Sequence, residues 1–310
     1  MRYLKFGAFI VFILGLSCGY KYPLPPENPG SLPYEEDYIE VKNTSWDNQT
    51  FNGIRDIIVG KDGYIYVLEA HALLKLNFNG DLVDTFYSDF VSAKSVAQDV
   101  SRNLYITDSC MIYVFDRDKN LLRVINFADT LEPYGIDVDS HKYLYITEPE
   151  LHKLVRLDSL GNFVELIASY GSGILSVNNP HGVFVNEKMG AVIVASTGNN
   201  WVEALSITTP RVNIVHLGGT THEGGDTAGV FNTPTDVWSD TLGNIYVLDY
   251  GNNRVQKFRQ TGEFVTQEGF SVAPVSLATS RDGAYLYVAF SNKVLKMKKP
   301  ELPQNPGGGK

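Results

Sequence analysis

Histidines 71, 152, 181 and 222 are the side chains of this sequence best suited to hold a metal, with Glu69, Glu148, Glu223 and Asp226 among the nearby carboxylates. Imidazole nitrogens and carboxylate oxygens ligate zinc or calcium when three or more converge to within about 2–2.6 Å of one ion. His181, His222 and Glu223 are the candidates for such a site. A second series, Glu69, Asp108, Glu148 and Asp249, offers carboxyl groups that could pair as general acid and base. Nucleophilic catalysis has no counterpart: the chain has no G-x-S-x-G stretch. No catalytic residue is assigned, and no cofactor is expected unless zinc or calcium occupies the histidine series. Whether any of these groups meet depends on the elements that carry them.

Those elements repeat. "GYIYVLEA" at 63–70 returns as "NLYITDS" at 103–109, "YLYITEP" at 143–149, "AVIVASTGNN" at 191–200, "NIYVLDYGNN" at 244–253 and "YLYVAFSN" at 285–292. Anchored on Tyr66, Tyr105, Tyr145, Ile193, Tyr246 and Tyr287, the units lie 39, 40, 48, 53 and 41 residues apart. That period is one four-stranded propeller blade. A strand precedes each anchor, and four of the six open on Pro, which suits the first residue of a strand because it cannot donate to a ladder. Third strands and Gly-containing turns into fourth strands follow. The sixth unit has only three strands, whereas 37–44 is strand-like and otherwise unplaced. The reading is an all-β, six-bladed propeller of four-stranded antiparallel blades over 37–299, closed by the N-terminal strand so that no edge stays exposed.

"NTPTDVWSDTLGNIYVLDYGNNRVQKFRQTGEFV" resembles the NHL repeat, and "GGTTHEGGDTAGVFNTP" before it resembles the glycine-rich loop that introduces such repeats in bacterial proteins. The other units rest on periodicity. The resemblance implies a six-bladed propeller of the bacterial exported or lipoprotein type. The family includes a metal-dependent lyase with histidines at the head of several inner strands. Here that position reads Arg55, Lys94, Tyr134, His181, Thr235 and Val275, with His in unit four alone. The acidic series falls at one repeat position, that of the family's structural Asp, where a carboxylate accepts backbone N–H groups within a turn. A non-catalytic binding protein is therefore expected, using the upper face and the mouth of the channel. Arg55, Tyr134, His181 and Thr235 are its ligand residues, and the 218–231 loop forms part of the rim. A small anionic or carbohydrate ligand, or a protein, is the expected partner; the alternative is a metal-dependent lyase or hydrolase at the channel mouth.

The remaining inferences concern location. Arg2 and Lys5 precede an apolar run over 6–16, then Ser17, Cys18 and Gly19, as in a secretory signal. "LGLSC" resembles a lipobox, with Gly15 where Leu is usual, so Cys18 is the expected lipidation site. Residues 1–18 are read as the signal, 19–36 as a Pro-rich tether and 300–310 as a loose tail. An exported chain held to a membrane by its lipid alone, and monomeric, is expected; a soluble periplasmic or secreted form is the alternative. Cys110 is expected as a small buried hydrophobe. A formal charge of −9 with no basic stripe excludes nucleic acid as a natural partner.

Overall fold

Each repeat folds as its alternation dictates. The anchor-bearing second strand, Ile65–Glu69 in the first blade, is buried on both faces: Ile65, Tyr66, Val67 and Leu68 are all at most 1% exposed. Aromatic and β-branched residues fill such a two-sided position well. The computed structural model describes residues 38–299 apart from 42–44, 88, 129, 174 and 220. Cys18, the signal, the tether and the tail lie outside the described residues.

Blade 1 comprises Ile54–Val59, Ile65–Glu69, Leu73–Leu76 and Leu82–Tyr87. Blade 2 comprises Ala93–Gln98, Leu104–Asp108, Met111–Phe115 and Leu121–Asn126. Blade 3 runs through Ile136–Val138, Leu144–Glu148, Lys153–Leu157 and Phe163–Tyr170. Blade 4 is Pro180–Asn186, Ala191–Ser196, Trp201–Ser206 and Asn213–Gly218. Blade 5 is Pro234–Ser239, Ile245–Asp249, Arg254–Phe258 and Phe264–Gly269. Blade 6 is Ser276–Thr279, Tyr285–Ala289 and Val294–Lys298, completed by Ile39–Glu40. The inner strands touch in sequence order and the last touches the first, which closes the ring. One departure from four-stranded blades is Ser176–Val177, which adds to blade 3 a short fifth strand parallel to Phe163–Tyr170. Cys110 is half-buried in the turn between the second and third strands of blade 2, not a core residue, because tight-turn positions face outward.

Among the described residues there are six apolar cores, each between two adjacent blades. Tyr105 of blade 2, for instance, packs with Ile136, Leu144 and Ile146 of blade 3. The anchor tyrosines also carry a polar duty. Tyr66 donates to Asp62 at 2.8 Å, Tyr105 to Asp99 at 3.3 Å, Tyr145 to Asp139 at 3.2 Å and Tyr246 to Asp240 at 3.0 Å. Each acceptor sits in the turn from first to second strand, where all four also accept a backbone N–H. A buried phenol thus finds its partner one turn away.

The ring closes through the N-terminal segment. Ile39 lies opposite Lys298 and Glu40 opposite Met297, in antiparallel register. Tyr38 donates to the Gly283 carbonyl at 2.6 Å and lies 3.0 Å from the Tyr246 hydroxyl. Trp46 then fills the seam between blades 6 and 1.

Candidate functional site

The inner strands run from an upper face, reached by the loops into them, to a lower face of first-to-second-strand turns. Arg55, Tyr134, His181 and Thr235 all stand at the upper end, at equivalent positions of blades 1, 3, 4 and 5. Two of them meet. The rings of Tyr134 and His181 pack edge to face at 4.6 Å, and Lys94 Nζ lies 5.8 Å from the Tyr134 centroid. Arg55 is exposed. His181 Nδ1 lies 3.0 Å from the Asn179 carbonyl and 2.9 Å from Thr197 Oγ1. A carbonyl only accepts, so Nδ1 carries the proton and Nε2 is the basic nitrogen. Burial holds this imidazole below its usual pKa, so it is neutral at pH 7. Burial pushes the Tyr134 phenol up, reinforced by Asp236 and Asp56 and opposed by Arg55. Thr235 Oγ1 is buried without a partner.

The other histidines do not join it. His71 Nδ1 lies 2.9 Å from the Phe90 carbonyl, and His152 Nδ1 accepts the Asn179 N–H at 2.9 Å. The exposed His222 ring rests on Trp201 at 4.3 Å, beside an exposed Glu223. Among the described residues no three His, Cys, Asp or Glu side chains are arranged to hold a metal ion. The donors present therefore do not fit the zinc or calcium site that the histidine series could have formed.

The acidic series spends its oxygens on loop backbone. Glu69 accepts from Asn52 N at 2.7 Å, Asp108 from Val91 N at 3.0 Å and Ser92 N at 2.5 Å, and Glu148 from Leu151 N. Asp249 accepts from Asn232 N at 2.7 Å and pairs with Arg254 Nε at 2.7 Å. The 218–231 loop is fastened over blades 4 and 5 by side-chain amides. Asn200 donates to the His222 carbonyl at 2.8 Å, Asn252 to that of Gly225 at 2.7 Å and Gln256 to that of Val230 at 2.8 Å. These anchors belong to second-to-third turns and third strands, so the loop is held outward of the inner-strand mouth and does not rim it.

Beneath the mouth, within the inner strands and not at their ends, lies a layer of three carboxyl groups. Asp56, Asp137 and Asp236 project from inner strands. Asp56 reaches across to Val96 N at 2.8 Å, Asp137 to Val185 N at 2.7 Å and Asp236 to Leu277 N at 3.0 Å, each tying its strand to the next blade. Gly182 permits close approach at this level, since a Cβ there would sit 2.7 Å from the Asp236 backbone. Ser276 Oγ lies 2.7 Å from Asp56 Oδ1 and 2.8 Å from Asp236 Oδ2. One hydroxyl hydrogen cannot serve two carboxylates, so the pair holds an extra proton. Burial raises the Asp56 carboxyl too, but Val96 N, Ser95 Oγ, Ser276 Oγ and Ile57 N all donate to it and oppose that rise, so of the two it is the better held as the anion. The proton therefore resides on Asp236, which donates to Ser276, which donates to Asp56. Burial, then the Asp56 charge, pushes Asp236 up to about 7. Burial pushes Asp137 up to about 6, opposed first by Lys61.

Below this layer the channel opens into a cavity of about 320 Å³ that reaches the lower face. Phe184 and Trp238, 4.8 Å apart, form one wall, and Lys61, Glu187, Lys188 and Arg281 stand at its rim. A sign of this layer was available in the sequence: Asp is depleted in strands, yet "IRDIIV", "GIDV" and "PTDVWS" each carry one mid-strand.

The buried proton sets a pH dependence. Asp236 keeps its proton to about pH 7 in the fold but releases it near pH 4 when unfolded. Between those values the folded chain binds more protons, so its stability falls as pH rises, by at most about 1.4 kcal/mol per unit for this group. Asp137 acts in the same sense over about pH 4 to 6. In Asp236→Asn the amide takes the place of the acid donor and the Asp236 part of the slope disappears. Urea midpoints at pH 5 and 7.5 should therefore differ less in the variant; equal losses in both proteins would remove the assignment.

Residues 231–258 match the NHL repeat. The chain is 31% identical over 204 residues to NHL repeat-containing protein 3 of Mus musculus, covering 58% of this chain and 55% of that one. It thus spans about half the length of the curated relatives it matches. Among solved structures, a gluconolactonase from Xanthomonas campestris superposes with a TM-score of 0.66 at 14% identity, covering 83% of this chain and 89% of that one. An auxiliary nutrient binding protein from Bacteroides thetaiotaomicron superposes at 0.64 and 10% identity, covering 80% and 69%. At such identities the likeness is one of fold, and this fold carries both an enzyme and a binder.

Proposed function

We propose that this six-bladed propeller, with its NHL repeat at residues 231–258, is a non-catalytic binding protein that takes a small ligand in its central channel. The observation that carries this reading is the channel itself: an open cavity of about 320 Å³ under a mouth of Arg55, Tyr134, His181 and Thr235. Concave sites with an apolar wall and a few convergent polar groups are the usual form of a small-ligand site. Catalysis is disfavoured because the repeated acids are committed to loop backbone and the Asp56–Ser276–Asp236 chain to joining blades.

The test follows pools of small molecules of distinct chemical class by NMR with the full chain. Broadened or saturated ligand signals without new resonances support binding. New product resonances would establish an enzyme and defeat the reading.

A protein partner is a second reading, favoured by exposed apolar residues on the outer strands of blades 2 and 3. Leu121, Leu122, Leu166, Phe163 and Tyr170 are 47–69% exposed there. Several exposed apolar side chains on neighbouring outer strands are what an interaction site requires. The proposed setting is a membrane surface, with Cys18 carrying lipid. Cys18→Ser is expected to move the chain from the membrane to the soluble fraction, and an unchanged distribution would count against the anchor.

A further inference from the structure

We propose that the lower channel cavity is a binding site for a neutral, hydroxyl-rich ring, of the size of a mono- or disaccharide. This rests on the reading of the channel as a small-ligand site and names its location and chemistry.

Charge balance comes first. With one proton shared by Asp56 and Asp236, that pair, Asp137, Asp240 and Glu187 set four negative charges against Lys61, Lys188 and Arg281, a near balance. A site so nearly balanced offers little net attraction to a strong anion or cation, and desolvating such an ion inside it would be costly.

Unused hydrogen-bonding capacity comes second. Asp56 has its four hydrogen bonds within the protein and offers little to a ligand. Asp137 accepts only Val138 N and Val185 N, each at 2.7 Å, which leaves two acceptor positions among the described contacts. Thr279, on the opposite side of the ring in blade 6, lines the same cavity, is 1% exposed, and its Oγ1 has no partner. An orphaned buried hydroxyl costs free energy unless something fills its need. A polyol supplies both donors and acceptors, one for each of these groups.

Shape comes third. Phe184 and Trp238, their rings tilted at 45° to each other, give the cavity an apolar wall, against which the C–H face of a sugar ring can lie while its hydroxyls turn to the polar groups. The volume lies at the small end of the roughly 300–1,000 Å³ typical of ligand pockets, which suits one or two rings.

The experiment is saturation-transfer NMR and titration of the full chain with neutral hexoses, pentoses and their disaccharides, with spermidine and citrate as charged comparisons. Saturation of a neutral saccharide is expected. Thr279→Val should weaken it roughly three- to tenfold and Asp137→Asn roughly tenfold or more. Thr279→Val is isosteric and deletes a hydroxyl that has no partner in the fold, so its unfolding midpoint should be unchanged or raised; this separates lost binding from lost folding. Binding of spermidine or citrate in place of saccharides would overturn the inference while leaving a channel-binding protein. Saccharide binding lost in Arg55→Ala but intact in Thr279→Val would also overturn it, by moving the site to the upper mouth. Binding of no class would overturn both readings.

Discussion

Replacing Arg254 by Met is expected to destabilise the propeller by about 3–5 kcal/mol, because it leaves a buried carboxylate without its counter-ion. Asp249 is fully buried and Arg254 nearly so. All five guanidinium hydrogens are used. Nε donates to Asp249 at 2.7 Å; one terminal nitrogen donates to the Asp226 carbonyl at 2.6 Å and to Gln267 at 2.9 Å. The other donates to the carbonyls of Thr227 at 3.0 Å and Val230 at 2.9 Å. The glycine-rich loop therefore has its shape because a planar fork in the strand below collects its carbonyls. Lys, with three donors around one point, cannot span these acceptors, so Arg254→Lys should recover little. Urea unfolding gives the stability, and amide exchange over 224–231 reports whether the loop is released before the blades. A variant within 1 kcal/mol of the parent, with the loop still protected, would show that the ion pair is not what holds this seam.

Trp46→Ala is the second large effect, about 3–5 kcal/mol. The indole is 2% exposed, packs with Phe51, Ile54, Ile65 and Leu76, and meets Tyr287 at a ring separation of 5.7 Å. Its Nε1 donates to the Phe78 carbonyl at 3.3 Å. The residue also fixes the turn beneath it: Gly80 has φ +94, and a Cβ there would sit 2.7 Å from the indole ring. Because Trp46 fills the seam between blades 6 and 1, its loss should open the ring at the junction closed by chain ends. The expected readout is lower thermal stability with early exchange of Ile39–Glu40 and Val294–Lys298. A stability loss under 1 kcal/mol would mean that the N-terminal segment is not a closing element.

Much of this architecture was legible in the sequence because a blade cannot bury its faces alone. Six tyrosine- or isoleucine-anchored units at blade-like spacing therefore declare both the fold and the blade number. Closure could be read from a missing fourth strand at one end and an orphan strand at the other. The short strand Ser176–Val177 left no such trace, since two residues in a Ser- and Gly-rich loop carry no period. The site was harder to read. Repeat logic directs attention to loop positions, where His71, His152 and His222 each found a separate partner. The groups that build the channel sit one and three positions further along the inner strands, as in Asp236 and Trp238 after Thr235. There the signal is a rule broken, a carboxylate in a strand of buried residues, and its meaning depends on which blade stands next door. The sharing of one proton through Ser276 joins residues 220 positions apart and is a fact of the closed ring alone.

A ligand in the lower half of the channel, as proposed, can be seen directly. Diffraction from crystals of the chain grown with a saturating neutral disaccharide tests this placement. Ring-shaped density against Phe184 and Trp238 is expected, with hydroxyls within hydrogen-bonding distance of Asp137 and Thr279. Density confined to the upper mouth between Arg55 and His181, or an unchanged channel at saturating ligand, would contradict it.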